Sequence, residues 1–230
     1  MAIRLTKTKI VCTLGPASST EEVLRRMLKE GMDCARLNFS HGTAEEKRSL
    51  VALLRRLGDE CGNQLAVMCD IQGPKIRVGK VSAPFELREG DETRVTPEKI
   101  LGDAKRFTIT LSTLLTDLKV GDEIFLNDGI VRLAVKSVES DSLVCRVVAG
   151  GAISDHKGCN IPRAHLSISI LTDKDKEDLK VIASLDPEYV AVSFVSKAED
   201  LEQVREFLKE QGNSSIKLIA KIERPAALGE

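Results

Sequence analysis

The sequence contains no tryptophan and a single tyrosine, Tyr189, and its aromatic fraction is only 3%. Leu, Ile, Val and Ala must therefore fill any core, so burial has to come from aliphatic packing. No run approaches 18 apolar residues, and Met1-Ala2-Ile3-Arg4 leads straight into a charged stretch rather than an apolar targeting segment. A cytoplasmic protein with no membrane partner is the expectation. An excess of basic charge is missing too: 34 Lys+Arg face 35 Asp+Glu, for a net charge of −1. Nucleic-acid binders normally carry a basic surplus that displaces phosphate counterions, so that class is disfavoured. The six cysteines, Cys12, Cys34, Cys61, Cys69, Cys145 and Cys159, form no C-x-x-C pair and none lies at zinc-site spacing from a His. They read as reduced thiols in strands and helices, since a nucleophilic Cys would need His41, His156 or His165 as its partner and nothing favours such a pair. What is present, 42% hydrophobic and 30% charged residues, is the balance of an ordinary globular protein.

The first 77 residues alternate two patterns. Lys9 to Leu14 is a short β-branched run, and Glu21 to Glu30 carries Val23, Met27 and Leu28 at helical spacing, with Thr20 as N-cap and Gly31 as stop. Cys34 to Ser40 repeats the strand. Thr43 to about Glu60 repeats the helix, with Leu50, Leu53, Leu54 and Leu57 on one face, and Leu65 to Ile71 follows the Gly62-Asn63 break as a third strand. Strand and helix in short alternation is the pattern of parallel β/α units. From about Val78 to His165 the character changes to alternating strand-like runs punctuated by Gly90-Asp91, Gly121-Asp122, Asn127-Asp128-Gly129 and Gly150-Gly151, which reads as an inserted all-β module. A helix at Asp173 to Ala183, a strand at Tyr189 to Val195, a helix at Ala198 to Glu210 and a strand at Lys217 to Ile222 complete the chain.

Chemistry in parallel β/α folds gathers at the carboxyl ends of the strands. Those ends carry Thr13, Arg36-Leu37-Asn38-Phe39-Ser40-His41-Gly42, Asp70-Ile71-Gln72-Gly73-Pro74-Lys75-Ile76-Arg77, Ser193-Phe194 and Lys221-Ile222-Glu223. Alternation places Arg36, Asn38 and Ser40 on one side of their strand, and Lys221 and Glu223 on one side of theirs. Charged groups inside apolar strands are costly to bury unpaired, so these positions stand out. An Arg, Lys residues and carboxylates converging at one end suit phosphoryl chemistry, where fixed cations and a metal neutralise developing charge. No P-loop and no G-x-G-x-x-G occurs, which disfavours a Walker-type ATPase or a dinucleotide enzyme.

Six ordered motifs match one family: Lys7 to Ser18, Ala35 to Gly42, Gly73-Pro74-Lys75-Ile76-Arg77, Asn127-Asp128-Gly129, Lys157-Gly158-Cys159-Asn160-Ile161-Pro162 and Ile219 to Glu223. The chain resembles the N-terminal part of a pyruvate kinase. The resemblance implies an α/β fold, a (β/α)8 TIM barrel of which the first five strands are present, with a small β-barrel domain inserted after strand 3. Residues 1–77 would hold barrel strands 1–3, residues 78–164 the inserted lid domain, and residues 165–230 strands 4–5. It implies transfer of the phosphoryl group of phosphoenolpyruvate to ADP, giving pyruvate and ATP in the last step of glycolysis, by a cytoplasmic homotetramer. Arg36 and Lys221 would be the catalytic and substrate-binding cations, Arg36 on the phosphate and Lys221 on the transferring group and the enolate. Glu223 would be a ligand of magnesium or manganese. Asn38, Phe39, Ser40, His41, Arg77 and Lys157 would meet the nucleotide, and Asn38, Ser40, Asp70 and Ile71 would form a monovalent-cation site. The inserted module would be a lid that excludes water.

Two departures from the family pattern matter. Potassium-dependent members carry Glu where this chain has Lys75, and a compact ammonium can occupy the place of a potassium ion. Lys75 is therefore expected to substitute for potassium, the alternative being a surface lysine beside an ordinary potassium site. Asn127 stands where the family often has Asp, although Asn-Asp-Gly is also simply a good hairpin turn. The competing readings are a barrel lyase or aldolase acting on pyruvate or phosphoenolpyruvate, and a non-catalytic truncated relative. The family's second magnesium carboxylate, in a Gly-Asp-Leu-Gly motif, does not occur in these 230 residues. Apart from the inserted module, the chain is also much shorter than the about 250 residues that eight β/α units take. Little or no turnover by this polypeptide alone, and an open, aggregation-prone sheet edge, are therefore expected.

Overall fold

The computed structural model describes residues 7–62, 64–162, 164 and 166–229. His165, read above as the end of the inserted module, and Asn63, in the break after the second helix, lie outside the described residues. In chain order, β1 (Ile10–Leu14), α1 (Glu21–Glu30), β2 (Met32–Asn38), α2 (Ala44–Cys61) and β3 (Ala66–Ile71) come first. They are followed by β4 (Phe85–Leu87), β5 (Glu92–Thr96), β6 (Arg106–Thr108), α3 (Leu114–Asp117), β7 (Glu123–Leu126), β8 (Val131–Val138), β9 (Leu143–Ala149), β10 (Gly151–Ile153) and β11 (Cys159–Asn160). Then come α4 (Asp173–Leu185), β12 (Tyr189–Val192), α5 (Ala198–Glu210) and β13 (Lys217–Ala220).

The helix boundaries follow from local chemistry. Gly31 ends α1 at φ +110°, donating its N–H to the carbonyls of Met27 and Leu28. Thr20 occupies the N-cap of α1 in an extended conformation but makes no side-chain cap bond, so Glu21 and Glu22 alone complement the dipole there. Thr43 does cap α2: the Glu46 N–H donates to Thr43 Oγ1 at 3.2 Å and the Thr43 N–H to Glu46 Oε2 at 2.7 Å. The buried face of α2 is built on Val51, Leu54 and Leu57, with Leu50 and Leu53 half-buried at its margins. Strand β2 stops at Asn38, two residues before the expected Ser40, because Asn38 Oδ1 accepts the Ser40 N–H at 2.9 Å and turns the chain. Strand β12 likewise stops at Val192, and two residues later Phe194 takes φ +61°.

The chain forms two compact units. The first comprises the described residues of Met1–Gly73 and of Ile170–Glu223. It is an α/β unit with a five-stranded parallel sheet in the order β1-β2-β3-β12-β13. Leu37, Cys69 and Val190 are in register and buried, and with Val67, Ile71 and Val192 they pack against Leu24, Leu54, Leu57, Leu179, Ile182 and Val204 of the helices. The opposite face carries Thr13 beside Arg36, and Asn38, Asp70 and Ala191 in one row. Alternation thus separates an aliphatic helix-facing side from a polar side.

The second unit comprises Pro74–Ser169 and Arg224–Gly229. Six strands run in the order β11-β7-β8-β9-β5-β6 and a second sheet pairs β10 with β4, almost all antiparallel. Its own core contains Val95, Phe107, Ile124, Leu126, Leu133, Val135, Cys145 and Val147. Among the described residues no helix is long and apolar enough to cross a membrane.

Candidate active site

Asp70, near the end of β3, is only 2% exposed, and a buried carboxylate persists only when paired and hydrogen-bonded. Both of its oxygens are engaged. Arg36 Nε and Nη2 donate to Oδ2 at 2.8 and 2.5 Å, and Arg36 Nη1 donates to Thr13 Oγ1 at 2.7 Å. Lys221 Nζ donates to Asp70 Oδ1 at 3.2 Å and to Ser193 Oγ at 2.8 Å. Ser193 in turn donates to the Ile71 carbonyl at 2.8 Å. Glu223 Oε1 lies 3.4 Å from Lys221 Nζ, while its Oε2 accepts the Phe194 N–H at 3.0 Å. One connected line of side chains therefore crosses the carboxyl ends of all five parallel strands. Two cations share one buried carboxylate, yet the Arg36 and Lys221 side chains remain 30% and 27% exposed. An anion arriving from solvent can reach both.

Arg36 uses three of its N–H groups on Asp70 and Thr13, which leaves two of the five in its guanidinium for a ligand. The fork is held from two sides, so its orientation is set before any anion binds. That is the arrangement planar recognition of phosphate requires.

The loop after β2 holds the second group of expected residues. Phe39 is buried in the helix-facing core, its N–H donates to the Asp70 carbonyl at 2.9 Å, and its carbonyl accepts from Lys174 Nζ at 2.9 Å. Its backbone and ring are thus committed to holding the loop. Lys47 of α2 stands 5.6 Å from the Phe39 ring centroid, and burial pulls its amine below the usual lysine range. Ser40 is half-buried and His41 exposed. Gly42 closes the loop at φ +79°, where an added Cβ would meet Glu46 Oε2 at 2.8 Å.

Arg77, Lys75 and Lys157 belong to the β unit. Arg77 bridges Gly158 and donates from Nη1 to the His156 carbonyl at 2.7 Å, and the Lys157 carbonyl accepts the Val78 N–H at 2.9 Å. Arg77 and Lys157 thus lie on paired segments. The Asn127 N–H joins them by donating to the Gly158 carbonyl at 3.0 Å. Asn127, Asp128 and Gly129 all take positive φ, forming the β7–β8 hairpin loop. Lys75 is half-buried.

Among the described residues no group of three or more His, Cys, Asp or Glu side chains is placed to hold a metal. Glu223 offers one hard carboxylate oxygen donor, and Asp70 has both oxygens committed to cations. One carboxylate suits magnesium, which keeps several waters and takes substrate oxygens for its other ligands. All six cysteines are free thiols. Burial pushes Cys69 and Cys145 up to about 12 and Cys34 to about 11, and it raises Cys159 as well, so these four are poor thiolate nucleophiles. Thr13 and Ser193 are the site residues that motif reading left without a role. Their signal was positional, since each is a small hydroxyl residue at a strand end on the polar side.

The sequence matches the family model described as pyruvate kinase, barrel domain, over residues 5–229. It is 40% identical over 219 residues to the pyruvate kinase of Clostridium perfringens, which covers 94% of this chain and 46% of that protein. It is 37% identical over 223 residues to that of Corynebacterium glutamicum, covering 96% and 47% respectively. To the pyruvate kinase of Mycobacterium tuberculosis H37Rv it is 39% identical over 221 residues, again 96% and 47%. The chain spans about half the length of these curated relatives.

Proposed function

The chain belongs to the pyruvate kinase family, and from that premise we propose that it serves the transfer of the phosphoryl group of phosphoenolpyruvate to ADP. The observation that carries this reading is the convergence of Arg36 and Lys221 on buried Asp70 at the carboxyl ends of the strands. Arg36, pre-oriented by Asp70 and Thr13, binds the substrate phosphate through its remaining N–H groups. The Lys221 ammonium neutralises charge on the transferring phosphoryl group and on the enolate oxygen left behind. Glu223 would hold magnesium or manganese, and such an ion, when bound, supplies further charge neutralisation at phosphate oxygens. Asn38, Ser40 and His41, and Arg77 and Lys157 of the β unit, are the proposed contacts for nucleotide phosphates, while Phe39 supports its loop from the core. Completion of a (β/α)8 barrel, a water-excluding part for the β unit, a homotetramer and a cytoplasmic setting belong to the same proposal.

Asn38, Ser40, Asp70 and Ile71 correspond to the family's monovalent-cation set, but both oxygens of Asp70 are already engaged by Arg36 and Lys221. That pairing, with Lys75 in place of Glu, supports potassium-independent chemistry. A catalytically complete protein carrying these residues should change less than about twofold in rate between potassium and tetramethylammonium salts. Strong activation by potassium would refute that part of the proposal.

The main test is binding. Phosphoenolpyruvate titrated into the 230-residue chain should bind, and Arg36→Met should weaken it about tenfold or more, as expected for loss of a charged hydrogen-bond donor. Equal affinity in the variant would overturn the assignment. Coupled detection of ATP from phosphoenolpyruvate and ADP should give little or no turnover by this polypeptide alone.

A further inference from the structure

We infer that the turn Ser193–Phe194 is a clamp that fixes the Lys221 ammonium and the Glu223 carboxylate relative to one another, with Ser193 a positioning residue. Its chemical meaning rests on the functional reading above, whereas its geometry does not. Lys221 lies between two carboxylates, Asp70 Oδ1 at 3.2 Å and Glu223 Oε1 at 3.4 Å, and Coulomb attraction alone would let the ammonium settle against either. Ser193 supplies a neutral third point. Its Oγ accepts from Lys221 at 2.8 Å and donates to the Ile71 carbonyl at 2.8 Å, a shorter contact than the 3.5 Å to Asp70 Oδ1. The hydroxyl proton is thereby committed to the backbone, and a lone pair is aimed at the ammonium.

The next residue holds the other partner. Phe194 adopts φ +61°, a conformation bulky side chains rarely take and keep only where their surroundings over-determine it. That turn brings its N–H to Glu223 Oε2 at 3.0 Å. Two adjacent residues after β12 therefore grip two residues that stand i and i+2 after β13.

The clamp is backed by bare glycine. Gly73, at φ +65°, lies so close that an added Cβ would come within 3.1 Å of the Ser193 carbonyl and 3.2 Å of both Ser193 Cβ and Phe194 Cδ2. The Gly73 N–H donates at 3.0 Å to Asp175 Oδ1, and Asp175 is fully buried in the first turn of α4. A rigid helix thus anchors the glycine that backs the turn.

The test is nuclear magnetic resonance of the 230-residue chain with 15N-labelled lysines, the Lys221 ammonium being assigned by its loss in Lys221→Arg. Hydrogen exchange at Lys221 should be at least about tenfold slower than at exposed Lys29, and Ser193→Ala should bring it within about threefold of Lys29. Exchange as fast as at Lys29 in the unsubstituted chain, or no change in Ser193→Ala, would overturn the clamp. Gly73→Ala, which displaces the turn without touching Lys221, should accelerate exchange in the same direction and serves as the second variant if Ser193→Ala does not fold. Protected Lys221 in a chain that fails to bind phosphoenolpyruvate would leave the clamp standing and overturn the functional reading alone.

Discussion

Asp70 holds two cations on one buried carboxylate, so its removal should cost more than the loss of a surface ion pair. Asp70→Asn leaves one carbonyl acceptor and sets the Arg36 and Lys221 charges against each other. Because both cations keep partial solvent access, the expected loss is about 2 kcal/mol, below the range for a fully buried pair. It would be read as a lower urea midpoint at unchanged slope, and an unchanged midpoint would refute the pairing. A second consequence concerns Cys69, whose thiol is held by burial at about 12. With its folded value raised, the neutral thiol's contribution to stability is complete below the ordinary value near 9 and is lost as pH rises from there toward 12. Each such thiol steepens the alkaline fall by about 1.4 kcal/mol per pH unit, and Cys69→Val should remove one thiol's share of that slope. An identical slope in the variant would show that the thiol ionises freely in the folded state. At this scale the motifs identified Arg36, Lys221 and Glu223 as charged groups of one site. They did not indicate that Arg36 and Lys221 meet on Asp70, because that contact joins residues 34 and 151 positions apart and depends on strand order.

Element boundaries were legible wherever a backbone group has a local partner. Gly31 and the Asn127-Asp128-Gly129 loop are capping or turn chemistry written within a few residues and stand where the sequence places them, while Thr43, expected as the first residue of the second helix, is instead its N-cap. The strand ends were less legible. Strands β2 and β12 end early because of the Asn38 side-chain turn, a local polar bond to the Ser40 N–H, and the left-handed Phe194, whose N–H finds Glu223 29 residues on, and hydrophobic alternation encodes neither. Capping also makes α2 a test of how the loop of residues 39–42 is held. The Thr43–Glu46 box joins the first turn of α2 to the end of that loop, and Lys47 reaches back to Phe39 from the same turn. Thr43→Ala should therefore cost about 1 kcal/mol of stability, and it should raise amide exchange in residues 39–42 more than in β5 or β9. Uniform loss of protection would mean that the cap serves the helix alone.

At the scale of the whole molecule, two cores are built on different periodicities. The α/β unit buries the alternate strand positions under α1, α2, α4 and α5, while the β unit closes its own core around Phe107, Ile124, Leu133 and Cys145. Among the described residues, every strand ladder of the β unit is formed within Pro74–Ser169 and none borrows a partner from the parallel sheet. A segment that satisfies its own backbone and buries its own aliphatic residues meets the physical conditions for folding alone. Residues 74–169 expressed as a separate polypeptide should therefore give a β-type circular dichroism spectrum and one cooperative thermal transition. The sharpest probe is Cys145, buried at the centre of that core with its thiol held up to about 12. In the excised unit it should stay unreactive toward an alkylating reagent at pH 8 until the thermal midpoint and then react in the same transition as the loss of β signal. A non-cooperative melt, or a Cys145 thiol alkylated at once at low temperature, would mean that this core depends on the parallel unit after all.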